Sequence, residues 1–112
     1  MELRQLRYFL AVAEELNFSR AAERCYVSQS AISLQIAKLE REMRAPLFER
    51  SSRSVQLTTV GTRLVSIARH MMDLEQAALA LTARSRNQLR LTANMTFAAK
   101  AIAAIVQVRE RH

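Results

Sequence analysis

The stretch from Val27 to Met43 leaves this chain few folds to choose from. Ile32, Ile36, Leu39 and Met43 recur at steps of four, three and four. That spacing puts them on one stripe of an α-helix facing a core. The opposite side carries Gln29, Ser30, Ser33, Leu34 and Lys38, a short and mostly uncharged face. Ser28 is placed to cap the helix by accepting a bond from an orphan amide of its first turn. Small side chains allow close approach to a major groove, and the Gln29 amide offers a donor and an acceptor to a base edge. The same face also suits an ordinary solvated helix, and this stretch alone does not decide between the two.

The residues before it shift the balance. Ser19 to Cys25 reads as a short helical run with Ser19 as its cap, and Ala21 and Ala22 are small enough for a second helix to cross closely. Tyr26, Val27 and Ser28 make a tight turn into the long helix. A short Ala-bearing helix, a turn and a polar-faced second helix form the helix-turn-helix pattern.

Composition sets the limits around this centre. With one Gly and one Pro in 112 residues, little loop is available and helix should dominate. The net charge of +7 suits a polyanionic partner. However, residues 1–57 carry only +2, and residues 58–112 carry +5. The placement of particular arginines therefore says more than the total. Cys25 is the only cysteine, so neither an intrachain disulfide nor a multi-cysteine metal site is available; it is expected to be a buried, hydrophobe-like thiol. The N-terminus has no signal-peptide pattern, and the longest apolar run, near Ala98 to Val108, is too short to span a bilayer. No membrane, metal or cofactor is expected, and the expected location is cytoplasmic.

Taken in order, Leu3 to Glu15 forms a first helix with Leu3, Leu6, Leu10 and Ala13 on its inner stripe and Phe9 and Leu16 beside it. After Met43, Pro46 ends the helix. Leu47 to Arg50 and Ser54 to Leu57 form a small hairpin around a Ser-rich turn, with Leu47, Phe48, Val55 and Leu57 holding it to the core. Arg50 and Arg53 project from it and can meet phosphates or a narrow minor groove. Thr58 caps a second long helix. Leu64, Ile67, Met71, Leu74, Ala78 and Leu81 follow at alternating steps of three and four, the seam of a coiled coil. A rod of roughly 40 Å cannot bury such a seam against so small a domain, so a second copy is expected on it. Gly61, a poor helix former, lets the rod approach the hairpin domain closely. His70 has no second ligand at helical spacing and reads as a surface residue. Residues 88–112 read as a strand followed by a helix.

The run F-S-R-A-A-E-R-C-Y-V-S-Q-S-A-I-S-L-Q-I-A-K-L-E, followed by P-L-F-E-R and L-T-T-V-G, resembles the N-terminal DNA-binding domain of LysR-type transcriptional regulators. The resemblance covers residues 1 to 87 well and 88 to 112 more weakly. It implies a mainly α fold: a winged helix-turn-helix of three helices plus a two-stranded wing, followed by a long dimerisation helix. The expected domains are 1–57, the winged DNA-binding head; 58–87, the linker and dimerisation helix; and 88–112, the strand–helix start of an effector domain otherwise missing. Linker helices of related regulators pair antiparallel. Three positions depart from the family: Ser30 and Leu34 stand where proline and arginine are common, and Arg44 stands where glycine usually closes the recognition helix. An arginine at a left-handed cap would cost roughly 1 kcal/mol, so a different ending is expected there.

The function expected is sequence-specific double-stranded DNA binding by a homodimer, which can associate further, in transcriptional control. Gln29, Ser30, Ser33 and Leu34 are the expected base contacts, with Gln29 reading adenine and Leu34 meeting a thymine methyl. Arg20, Ser28 and Lys38 are expected at phosphates, and Arg50 and Arg53 at the wing. No small-molecule effector site is expected in this chain. Two other readings stand beside this one: an interaction module that captures a full-length relative, and a non-specific architectural DNA binder. An enzyme is not expected, since there is no phosphate-binding glycine loop, Cys/His ligand cluster or nucleophile–base pair.

Overall fold

Helix α1 spans Leu3–Glu15, α2 Phe18–Arg24 and α3 Gln29–Met43; strands β1 and β2 are Phe48–Arg50 and Val55–Leu57, and α4 runs Thr59–Arg86. The computed structural model describes residues 1–86. The strand and helix expected over 88–112 lie outside the described residues. Residues Met1–Arg69 form one compact unit, and His70 begins a second.

The core of the first unit is built by α1, α2, α3 and the wing. Leu6, Phe9, Val12, Ile32, Ile36, Leu39 and Leu47 are fully buried. Ala21 and Ala22 are buried too, which permits the close α2–α3 crossing their size suggested. The inner face of α1 is centred on Leu6, Phe9 and Val12, whereas Leu3, Leu10 and Ala13 are only half-buried and Leu16 is exposed. The face is rotated toward Phe9 because its ring packs 5.4 Å from Phe48, which in turn meets Phe18 edge-on at 5.8 Å. Three aromatic rings thus join α1, α2 and β1.

Two local expectations are corrected. The cap of α2 is Asn17, not Ser19: the Asn17 side chain accepts the Arg20 N–H at 2.9 Å. Leu16, in the left-handed region at φ 49°, reverses the chain just before that cap. Cys25 is half-buried rather than a core residue. That partial burial raises its thiol pKa above the ordinary value, with the Arg24 charge pulling the other way.

Ser28 caps α3 as expected, accepting the Ala31 N–H at 3.1 Å. The other end overturns the expected ending. Arg44 does take the left-handed conformation, φ 56° and ψ 36°. The Arg44 N–H bonds to the Arg41 carbonyl and the Ala45 N–H to the Glu40 carbonyl, each at 3.2 Å. This pair is the Schellman closure, which satisfies two orphan carbonyls and offsets the penalty of a side chain there. Arg44→Gly should remove that penalty and raise stability by about 0.5–1 kcal/mol. Denaturant unfolding would check it, and a loss of stability would mean that the Arg44 side chain contributes more than its backbone costs.

The wing is a two-stranded antiparallel hairpin pairing Phe48 with Leu57, Glu49 with Gln56 and Arg50 with Val55. Its tip is closed by Ser51, whose Oγ accepts the N–H groups of Arg53 at 3.3 Å and Ser54 at 3.1 Å. At its base, the Glu40 Oε2 accepts the Leu47 N–H at 2.7 Å and the Phe48 N–H at 3.4 Å. Thr58 ties the other strand down. Its N–H donates to the Leu47 carbonyl at 3.0 Å and its hydroxyl to the Pro46 carbonyl at 2.7 Å. The same hydroxyl accepts the Gly61 N–H at 3.0 Å, capping α4. Gly61 lies directly on this junction: a Cβ there would stand 2.2 Å from the Leu47 carbonyl oxygen.

Helix α4, about 42 Å long at 1.5 Å per residue, buries Leu64 and Ala68 within the first unit. Leu64, expected in the intermolecular seam, therefore already has an intramolecular place. Met71 is half-buried and Ala78 exposed. Val60, Ile67, Leu74 and Leu81, spaced by seven, are all exposed, Ile67 and Leu81 at 54%.

Candidate nucleic-acid interface

Capped by Ser28, α3 begins at Gln29, and its first turns leave Gln29, Ser30 and Leu34 exposed, Leu34 at 51%. Ser33 and Gln35 are half-buried. The Gln5 amide from α1 reaches Gln35 at 3.3 Å, which commits Gln35 to holding α1 against α3. Lys38 lies farther along, exposed, and Arg20 is exposed on α2. The expected base-contact residues thus sit together on the N-terminal half of one helix.

The wing supplies a second wall. Gln29 and Ser19 line a cleft of about 220 Å³ whose far side is Ser51, Ser52, Arg53 and Ser54. Arg53 is exposed at the wing tip. Arg50 is held differently. Its guanidinium carbon lies 4.2 Å above the Phe18 ring and its terminal nitrogen 3.8 Å from the Glu40 carboxylate. A cation stacked on an aromatic and facing an acid is already partly satisfied by the protein. Arg53 is thus the freer of the two wing arginines to meet an external anion.

Two neighbours of this face were not singled out in the sequence as site residues. The Ser19 hydroxyl donates to the Gln29 Oε1 at 2.8 Å, joining the first turns of α2 and α3. No local pattern marks a bond between residues ten apart on two helices. Tyr26 holds φ 58° in the turn and is 95% exposed. A large aromatic left in water beside the α3 N-terminus was legible as a turn residue but not as an exposed one.

The profile of the bacterial regulatory helix-turn-helix protein, lysR family, matches residues 3–62, from the start of α1 through the first turn of α4. The chain belongs to the LysR family. It shares 47% identity over 76 residues with the transcriptional regulator ClcR of Pseudomonas putida, covering 68% of this chain and 26% of that one. With BudR of Raoultella terrigena it shares 40% over 118 residues, covering all of this chain and 41% of the relative. The chain thus spans well under half the length of these LysR-family relatives. A crystal structure of the CbnR DNA-binding domain in complex with DNA superimposes with a TM-score of 0.73 at 38% identity, over 78% of this chain and 100% of that one. The BenM DNA-binding domain with benA site 1 DNA gives 0.72 at 38% identity, over 78% and 98%. The fold of this chain is thus the winged helix-turn-helix of the LysR-family DNA-binding domain. Among the described residues, no helix is long and apolar enough to cross a membrane.

Proposed function

We propose that this chain binds specific double-stranded DNA sequences as a homodimer, with α3 in the major groove and the wing at the backbone or minor groove. The observation that carries the proposal is the exposed face of Gln29, Ser30 and Leu34 at the capped start of α3, where Gln29 lines the same cleft as Arg53. Gln29, Ser30, Ser33 and Leu34 would meet base edges. Arg20, Ser28 and Lys38 would meet phosphates, Arg53 the wing-side strand, and Arg50 would act mainly by stiffening the wing. The superimposed CbnR and BenM domains, each in a complex with DNA, support this placement.

The working division is a reading head over 1–57, a linker helix over 58–87 and the beginning of an effector domain over 88–112, acting in the bacterial cytoplasm. Dimerisation would use α4. Ile67, Leu74 and Leu81 are apolar, exposed and seven residues apart, which favours a second α4 over solvent. Met71 and Ala78 would flank them. Val60 extends the exposed line toward the head, while Leu64 would contribute only through its place in the core. Leu74→Asp should convert dimers to monomers in sedimentation, and a dimer that survives it would place the interface elsewhere.

The deciding experiment is selection of the intact protein against a random duplex library at near-physiological salt. An enriched inverted repeat is expected, since a two-fold dimer reads two half-sites. Binding without enrichment would replace this reading with a non-specific architectural one.

A further inference from the structure

We infer that Ser19 is a specificity-determining positioning residue: it holds the Gln29 carboxamide so that its amino group leads into the major groove. The inference rests on the DNA-reading function proposed above. The Ser19 hydroxyl donates to the Gln29 Oε1 at 2.8 Å. Both residues line the cleft between the helix-turn-helix and the wing tip. A glutamine side chain at the first position of an exposed helix has several rotatable bonds, and ordering it on binding is unfavourable. A bond already made to its oxygen removes much of that freedom before DNA arrives. It also selects which end of the amide faces outward. With the oxygen turned to Ser19, the Nε2 hydrogens form the leading edge. They suit a base acceptor such as guanine N7 or O6, thymine O4 or adenine N7.

The hydroxyl is not needed for local folding. Asn17 caps α2, so Ser19 has no capping bond to lose, and it is exposed. Ser19→Ala therefore leaves the fold intact while releasing the amide. Ser19→Thr keeps the hydroxyl.

The test compares random-duplex selection profiles for the wild-type chain, Ser19→Ala, Ser19→Thr, Gln29→Ala and the Ser19→Ala/Gln29→Ala double variant. The position at which Gln29→Ala loses preference identifies the base pair that Gln29 reads. At that position Ser19→Ala should lower discrimination by about fivefold, a fraction of what a well-oriented amide supplies. Ser19→Thr should restore the wild-type profile, and the double variant should match Gln29→Ala alone. Affinity for unselected duplex should change little. If the wild-type chain enriches a sequence and Ser19→Ala enriches the same one with equal preference, the role assigned to Ser19 is overturned while the parent reading stands. Equal weakening on all duplexes, also present in the Gln29→Ala background, overturns it as well, because that is the behaviour of a phosphate contact. A wild-type chain that enriches nothing overturns both.

Discussion

Gly61→Ala is expected to destabilise the folded head by about 3 kcal/mol, at the upper end of overpacking effects. The sign is informative because helix propensity predicts the opposite. Gly61 lies in the first turn of α4, and alanine in a helix is favoured over glycine by about 1 kcal/mol. Geometry wins because the added methyl would meet the Leu47 carbonyl oxygen at 2.2 Å, with the Leu57 side chain at 3.0 Å. A side chain could rotate away from such an overlap, but a backbone carbonyl cannot. That carbonyl is also held by the Thr58 N–H at 3.0 Å, so moving it breaks a second contact. For a domain of this size the loss corresponds to a fall in Tm on the order of 15 °C. Thermal unfolding followed by circular dichroism measures it, and an unchanged or raised Tm would show that α4 does not pack this closely.

Glu40→Ala is the second large effect, with an expected loss of about 2–3 kcal/mol. Its carboxylate accepts two backbone N–H groups, those of Leu47 and Phe48, at the point where the chain enters the wing. Leu47 and Phe48 are themselves buried, so neither amide gains free access to water when the acid is removed. An unsatisfied buried donor costs about 1–3 kcal/mol. Glu40→Gln keeps a neutral acceptor in the same place and should recover roughly half the loss, because a charged acceptor makes the stronger bond. Denaturant midpoints for the two variants give the comparison. Equal losses would mean that charge, through the nearby Arg50, matters more than the accepted hydrogen bonds.

Much of the architecture was legible because it depends on local pattern. The apolar steps of α3, the Ser28 cap and the Pro46 break are signals within a few residues, and they place the helix and its polar face. The close approach at Gly61 was legible as well, since a glycine in the first turn of a helix is otherwise unfavourable. The readings that failed locally share one cause. Asn17 and Ser19 are both good caps two residues apart, and only the direction of the incoming chain, set by Leu16, chooses Asn17. Arg44 looked unfavourable because its own conformation was weighed without the two closing bonds it permits. The partners of Glu40 lie seven and eight residues on, after a chain reversal, and no periodicity encodes that. Leu64 fits the heptad of α4 as well as Ile67 does, and only the docked wing domain distinguishes the inward residue from the outward one. In the candidate interface, Gln29 and Arg53 were visible by chemistry. The Ser19–Gln29 bond was not, because it requires the α2–α3 crossing to exist first.

The Thr58 junction bears on how this head could be joined to other proteins. Its backbone N–H, its hydroxyl as donor and the same hydroxyl as acceptor are all in use, on Leu47, Pro46 and Gly61 respectively. The join between Leu57 and Thr59 thus has no slack. One inserted residue would slide the cap off the helix it starts and rotate the following turns by about 100°, the step of an α-helix. A chimera that borrows this reading head must therefore keep Pro46 through Leu64 unbroken and make its splice farther along α4.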